Sequence, residues 1–321
     1  MGVLMRKEKE VRLRPMSADD IEEVREVGQI AWSDLAMHDT GKRFKYPKRS
    51  ERIINAYMTA DPEGCLVAEV ERKIVGSAFC HTWGQVGWTG PLEVLPSYQD
   101  HGIGKRLLNS CEAHLLKRGC TVVGLETMSH MAKNLHFYLS SGYRTGPITL
   151  IMEKIVRREE ADLSSVRELT ADDLVRSAEI VSRLSRSIDP QLDYASEAVS
   201  IIRNGLGNVF VLEVGGTPQG CALLHTYQRG EEAPYSSVKA VLIDPRVPDP
   251  RRTFDHLMDM CETRSLEEGK TKLLTRFSPP DARMYGVMMA RHYSLKGANV
   301  RMVKFGDYRE SGWCNITSWA G

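Results

Sequence analysis

The chain has 321 residues, of which 42% are hydrophobic and 26% charged, with a formal net charge of +1. This length suits two domains, and the hydrophobic content is enough for buried cores. Because the charge is nearly balanced, nothing draws the chain as a whole to nucleic acid or to an anionic membrane, and we expect neither as a partner.

The seven cysteines are scattered, odd in number and never spaced as Cys-x-x-Cys. This pattern favours reduced, buried thiols over a disulfide framework or a zinc site, so we expect no metal and a cytoplasmic location. The first ten residues lack the apolar core of a signal peptide, and no run of the sequence reaches membrane-spanning length.

The first half of the chain predicts a mixed α/β arrangement of the α+β kind, with hairpins first and then strand, helix and strand. The predicted elements are a strand at 11–14, helices at 17–37 and 49–60, a hairpin of strands 65–70 and 74–83, a strand at 92–95, a helix at 105–117, a strand at 121–127, a helix at 132–140 and a strand at 148–155 that closes the sheet.

The second half repeats the first at an offset of about 150 residues. Short sequence echoes recur in the same order, among them His81-Thr82 with His225-Thr226 and Cys111-Glu112 with Cys261-Glu262. We therefore expect a domain at 1–157, a charged linker at 158–165 and a second domain at 166–321.

A glycine-bearing turn at 99–104 stands between a predicted strand and a predicted helix. The first N–H groups of a helix lack partners within it, and the helix dipole favours negative charge, so this turn suits a phosphate. A dinucleotide-binding loop would follow the first strand of a βαβ unit, and a P-loop would carry Gly-Lys-Ser/Thr. Neither pattern is present here.

The full string Leu92-x-Val94-x-Pro96-x-x-Gln99-x-x-Gly102-x-Gly104 resembles the acyl-CoA pyrophosphate loop of the GNAT N-acetyltransferase superfamily. The resemblance implies two tandem GNAT-like domains, each a mixed, mostly antiparallel sheet with flanking helices. It places pantetheine on the main chain of Leu92, Glu93 and Val94. It places the pyrophosphate on the N–H groups of Gln99, Asp100, His101, Gly102, Ile103, Gly104 and Lys105.

The same resemblance assigns the proton donor for the leaving thiolate. Tyr138 stands in a segment similar to the family's Phe/Leu-Tyr-x-x-x-Gly-Phe pattern, with Tyr143 in the last position. The family more often has Asn seven residues before this tyrosine, where this chain has Met131. Asn134, four residues before it, is therefore the candidate contact to pantetheine.

The general base has several candidates. Glu126 lies near the end of an apolar strand and twelve residues before Tyr138, a spacing similar to that of GNAT enzymes that acetylate protein N-termini. A carboxylate among apolar neighbours gains the raised pKa that a base needs. Glu93 and His81 are alternatives, but the counterpart of His81 persists in the second half, which indicates a role in the fold.

The second half has lost these features. Its loop at 246–252 has no glycine, and Pro248 and Pro250 remove backbone donors. At the repeat offset, Glu126 maps to Arg276 and Tyr138 to Met288. The overall plan resembles tandem GNAT proteins such as mycothiol synthase, with one active and one degenerate domain.

These observations predict a cytoplasmic, acetyl-CoA-dependent N-acetyltransferase that acts as a monomer or homodimer on a small-molecule or peptide amine. The acceptor is expected between the early helices and the strand around 85–91. The basic, aromatic segment 41–49 is either a solvated loop or a contact to an acidic acceptor, to CoA or to nucleic acid. The alternative function is a non-catalytic CoA- or acyl-CoA-binding sensor or assembly module.

Overall fold

The computed structural model describes residues 10–159, 162–227 and 233–319. The first repeat comprises β1 (Val11–Pro15), α1 (Ile21–Thr40), α2 (Glu51–Ala60), β2 (Cys65–Val70), β3 (Lys73–Trp83), β4 (Val86–Val94), α3 (Ile103–Lys117), β5 (Val122–Met128), α4 (Ala132–Ser140) and β6 (Arg144–Ile155). These bounds agree with the predicted elements to within two residues, with three exceptions: α1 begins four residues later and ends three residues later than predicted, β4 begins six residues earlier, and β6 begins four residues earlier.

The second repeat has the same order of elements, followed by one short strand. It comprises β7 (Val166–Leu169), α5 (Leu174–Ile188), α6 (Ala195–Arg203), β8 (Gly207–Val214), β9 (Thr217–His225), β10 (Tyr235–Ile243), α7 (Pro250–Glu267), β11 (Lys272–Phe277), α8 (Ala282–Ala290), β12 (Ser294–Phe305) and β13 (Ile316–Thr317). Matching capping boxes, Ser17 with Asp20 and Thr170 with Asp173, precede α1 and α5. The internal repeat is therefore confirmed at the level of secondary structure.

All the described strands belong to one sheet, in the order β1-β2-β3-β4-β5-β12-β6-β11-β10-β9-β8-β7, with β13 beside β10. Most neighbours are antiparallel, and the parallel pairs are β4 with β5 and β10 with β11. The helices pack on this sheet and bury one apolar core in each half and a third core that both halves share. The mixed, mostly antiparallel fold is confirmed.

The last strand of each repeat is exchanged between the halves. β12 pairs with β5, whereas β6 pairs with β11, and the two exchanged strands pair with each other. The prediction that 148–155 closes the sheet of the first repeat is therefore wrong, because a strand from the second repeat lies next to β5. Each half of the sheet is completed by the other half of the chain.

The connection between the repeats bears on the predicted boundaries. Residues 156–159 and 162–163 adopt no regular structure, and the remainder of the charged stretch, at 160–161, lies outside the described residues. The boundaries at 157 and 166 remain a prediction, and the strand exchange means that they do not separate two self-contained sheets.

All seven cysteines are buried and free. No helix in the described ranges is long and apolar enough to cross a membrane.

Candidate active site

Strands β4 and β5 separate at one end and leave a gap in the sheet. They pair only from Val86 to Trp88 on β4, with Trp88 opposite Gly124. Beyond this point Leu92, Glu93 and Val94 still pair with β3 on the other side. On the side that faces β5, the three residues whose main chain was predicted to bind pantetheine thus have no partner strand, although the Val94 carbonyl accepts a hydrogen bond from the Gln99 side chain.

The predicted pyrophosphate loop follows directly. Asp100 and Gly102 have φ angles of 62° and 73°, in the left-handed region, and they turn the chain into α3. Gly102 occupies the N-cap position and supplies no side-chain cap. The N–H groups from Gly102 to Lys105 meet no acceptor among the described residues. They form the set of free donors that a pyrophosphate requires.

Gln99 holds this loop in place with its side chain. Its Nε2 donates to the Val94 carbonyl at 3.1 Å, and its Oε1 accepts from Lys133 Nζ, on α4, at 2.8 Å. Its own N–H donates to the Pro96 carbonyl at 3.3 Å. The expectation that the Gln99 N–H is free for a phosphate is therefore wrong, because a turn of the chain already uses it. His101 lies exposed beside it, with Nδ1 2.6 Å from the Gln99 carbonyl.

The start of α3 lies against the helix that carries Tyr138. Ile103 is buried and anchors the helix, while Gly104 is partly exposed. A Cβ at Gly104 would lie 3.5 Å from Phe137 Cζ and 3.8 Å from Leu92 Cδ2, which are ordinary contacts. The end of β4, the start of α3 and α4 therefore meet at one place.

Tyr138 packs in the apolar cluster formed by α3, α4, β5 and β12. Its ring centre lies 5.0 Å from that of Phe137 and 5.8 Å from that of Tyr143. Burial raises the pKa of Tyr138 to about 12, so the hydroxyl keeps its proton at neutral pH. Asn134 lies partly buried on the first turn of the same helix. The fold thus brings the predicted acid close to the predicted loop.

Glu126 lies two residues beyond the last β4–β5 pair and faces the opposite side of the sheet from Leu125, which packs in the Tyr138 cluster. Its side chain is only 1% exposed. Its carboxylate accepts hydrogen bonds at 2.9 Å from Thr149 Oγ1 and from Asn299 Nδ2. The expected apolar surroundings are therefore wrong: polar groups of β6 and β12 enclose this carboxylate.

Glu93, the first alternative base, is buried under the loop that follows α1. Its Oε1 accepts from Trp32 Nε1 at 2.7 Å and from Arg49 at 2.9 Å, and its Oε2 accepts from Arg49 at 3.3 Å. Ser77 Oγ also donates to Oε2, at 3.3 Å. This carboxylate is fully engaged in holding Arg49 and α1 against β4.

His81, the second alternative base, lies on β3 and contacts the neighbouring strand β4 close to the gap. Its Nε2 lies 2.8 Å from the carbonyl oxygen of Gly90, which only accepts, so this nitrogen carries the hydrogen. Burial, with a smaller effect from Lys239, lowers the pKa of His81 to about 4. The ring is therefore neutral at pH 7 and a weak base. Its counterpart His225 instead contacts Glu197, at 3.1 Å.

The corresponding place in the second half is closed to a phosphate by the protein's own carboxylates. α7 begins at Pro250, and the side chain of Asp249 accepts from the Arg252 N–H at 3.0 Å. Asp244 accepts from the Arg246 N–H at 3.0 Å. Met288, at the position that corresponds to Tyr138, is fully buried. At these positions of the second half, carboxylates thus take up the N–H groups of Arg246 and Arg252, and Met288 has no proton to donate.

The basic segment 41–49 is divided in two. Its inner end is fixed to the protein by Arg49 on Glu93 and by the ion pairs of Lys48 with α1. Its outer part is exposed, and Phe44 is 56% exposed. Tyr46 stacks on Trp32 of α1 with ring centres 5.5 Å apart. The segment therefore forms a partly aromatic wall beside Glu93.

Sequence reasoning missed the residues that surround Glu126. Thr149, Asn299 and Arg301 lie on exchanged strands, and Arg301 lies opposite Glu126 in the β12–β5 register. No local pattern in the sequence indicates that a strand from the far end of the chain borders β5. No group of three or more His, Cys, Asp or Glu in the described ranges is arranged to hold a metal ion.

Comparison with known proteins gives an independent assignment. Residues 27–143 match the acetyltransferase (GNAT) family. An acetyltransferase of Yersinia pestis (strain Pestoides F) is 28% identical over 110 residues, which cover 34% of this chain and 78% of that protein. The segment 27–143 contains the gap between β4 and β5, the glycine-bearing loop and Tyr138.

Solved structures share the fold over nearly the whole chain. A Pyrococcus horikoshii protein, provisionally described as an acetyltransferase, has a TM-score of 0.71 at 14% identity and covers 100% of this chain and 99% of its own. A tandem GNAT protein from the clavulanic acid biosynthesis pathway has a TM-score of 0.58 at 14% identity, covering 94% and 99%. Residues 27–143 are thus similar to the acetyltransferase (GNAT) family, whose members use a CoA-based acyl donor, and the fold of nearly the whole chain is similar to that of a tandem GNAT protein.

Proposed function

We propose that the N-terminal half transfers an acetyl group from acetyl-CoA to a primary amine, and that the C-terminal half has no donor site of its own. The observation that carries this proposal is the uncapped start of α3, whose free N–H groups lie near Leu92 on β4 and near Phe137, which precedes Tyr138 on α4. The carboxylates that cap the equivalent loop support one donor site per chain.

The thioester supplies an activated acetyl group whose carbonyl carbon accepts the amine nitrogen. As the N–C bond forms and the C–S bond breaks, Glu126 takes the proton of the amine nitrogen and Tyr138 gives its proton to the departing thiolate sulfur. Tyr138 is suited to this role because burial raises its pKa to about 12 and keeps it protonated. A proton returned from Glu126 to Tyr138 through solvent restores the site, and the products are the N-acetyl amine and the free thiol.

The amine is placed on the face of the sheet that carries Glu93 and Glu126, under α1 and the loop that follows it. Trp32 and Tyr46 stack above Glu93 and form one wall of this region. Because Glu126 follows the last β4–β5 pair, the gap between these strands is the proposed route from Glu126 to the side on which Tyr138 packs.

The test is CoA release from acetyl-CoA with a panel of small polyamines, aminoglycosides, free lysine and short peptides with free N-termini. Tyr138→Phe removes only the proton donor, so we expect turnover to fall about 10²- to 10⁴-fold while the Kd for acetyl-CoA stays near that of the parent. Tyr285→Phe, on α8 of the second half, removes a hydroxyl far from the gap and is the matched control. Unchanged turnover in Tyr138→Phe would reject this tyrosine as the acid.

The same panel separates the enzyme from a non-catalytic CoA sensor. Tight binding of acetyl-CoA without CoA release for any amine would favour the sensor. Release with at least one amine, lost in the Tyr138→Phe variant, supports the transferase.

A further inference from the structure

The exchanged strand β12 brings residues of the second half to the carboxylate of Glu126. β12 lies antiparallel to β5, with Asn299 opposite Met128 and Arg301 opposite Glu126. On its other side it pairs with β6, where Asn299 lies opposite Thr149. Asn299 and Thr149 therefore flank Glu126 on the same face of the sheet.

The Glu126 carboxylate contacts Asn299, Thr149 and Arg301. Asn299 Nδ2 donates to Oε1 at 2.9 Å, and Thr149 Oγ1 donates to Oε2 at 2.9 Å. Arg301 Nε lies 3.5 Å from Oε2, close enough for an ion pair but without an aligned hydrogen bond. Each oxygen thus has one directional donor, and a buried carboxylate needs such donors to remain in place.

Arg301 also contacts residues near the C-terminal end of the chain, at 310–319. Its Nη1 donates to Glu310 at 2.7 Å, its Nη2 donates to the hydroxyl of Thr317 at 3.0 Å, and its guanidinium lies 5.0 Å from the ring centre of Trp319. Its charge is therefore balanced mainly by Glu310. Asn299 is different, because the hydrogen bond found for its side chain in the described residues goes to Glu126.

We propose that Asn299 is a positioning residue for Glu126, so that the second half completes the active site of the first. The proposal rests on the proposed function, in which Glu126 takes the amine proton. A carboxylate rotates readily about its last side-chain bond, and the amide donor fixes Oε1 while Thr149 fixes Oε2. The orientation in which Glu126 meets the amine is thereby set by a residue 173 positions away in the sequence.

The first experiment measures Asn299→Ala with the amine of the panel that is acetylated fastest. We expect kcat to fall about 10- to 10²-fold, the range for a catalytic group held in the wrong geometry, with little change in the Kd for acetyl-CoA. The thermal midpoint should fall as well, because a buried carboxylate oxygen loses its donor. Asn299→Ser, which retains a donor, is expected to recover part of the loss. Lys296→Ala is the control on the same strand, because Lys296 is half-exposed and pairs with Glu153 instead.

A double-mutant cycle decides whether Asn299 acts through Glu126. In the Glu126→Gln background, Asn299→Ala is expected to lower kcat no further, since the group it positions has already lost its function. The proposal would be overturned if the two substitutions lowered kcat by independent factors that multiply in the double variant. An unchanged kcat in Asn299→Ala alone would overturn it too. An unchanged kcat in Glu126→Gln would also overturn it, whereas acetyl transfer itself would still be judged by Tyr138→Phe.

Discussion

At the scale of single residues, burial determines which titratable groups suit the chemistry. Tyr138 lies in an apolar cluster that raises its pKa and preserves its proton. His81 is partly buried, but burial lowers the pKa of a histidine, so this side chain is neutral and donates to the Gly90 carbonyl. The same physical effect thus suits Tyr138 to the proposed role of an acid and His81 to a structural role.

His81 leads to a prediction about stability and pH. Its pKa is about 4 in the folded protein and about 6.5 in an unfolded chain, so the unfolded state binds more protons between these values. The free energy of unfolding should therefore decrease as the pH falls from about 6.5 to 4, by up to about 3 kcal/mol from this group. His81→Gln keeps a donor for Gly90 and should flatten this dependence, measured by urea unfolding at pH 7 and pH 5.

The exposed His136 supplies the control, because His136→Gln removes a histidine from the surface of α4. We expect this variant to keep the parental dependence on pH. If His81→Gln and the parent lost the same stability between pH 7 and pH 5, the assignment of this dependence to His81 would be wrong.

At the scale of elements, the sequence predicted the parts that depend on local signals. Gly102 and Gly104 marked the start of α3, and the helical period around Tyr138 marked α4. The strand exchange carried no local signal, because β6 and β12 are equivalent strands of a repeat and either one satisfies the hydrogen bonds of β5. Thr149 and Asn299 lie beside Glu126 only because β12 pairs with β5 and with β6. The spacing of residues in the sequence therefore could not predict these neighbours.

The start of α3 gives a prediction at this scale. Gly104→Asp adds a carboxylate where free N–H groups would meet a pyrophosphate, and the position has ordinary contacts for a Cβ. We expect the variant to fold and to lose acetyl-CoA binding by at least about 10²-fold in Kd, as measured by calorimetry. Asn109→Asp adds the same charge to an exposed site on the same helix and should bind like the parent. Parental affinity in Gly104→Asp would refute the loop assignment.

At the scale of the whole molecule, the two halves share one sheet and exchange their last strands. Removing the second half would take β12 away from β5 and expose its edge together with the Glu126 carboxylate. The unequal loops support the proposal that this shared sheet serves one donor site, because Asp249 and Asp244 occupy the N–H groups of Arg252 and Arg246 in the second half. In that proposal the second half is a structural part of the active first half.

This arrangement predicts the behaviour of a chain cut between the repeats. With a protease site inserted between Glu159 and Asp162, the nicked protein should stay together, because β6 and β12 each pair across the halves. Calorimetric titration should give about one acetyl-CoA per nicked or intact chain, and Gly104→Asp should abolish that binding in both. Separation of the pieces after cleavage would contradict the strand exchange. Two sites of comparable affinity, or binding that survives Gly104→Asp, would contradict a single donor site in the N-terminal half.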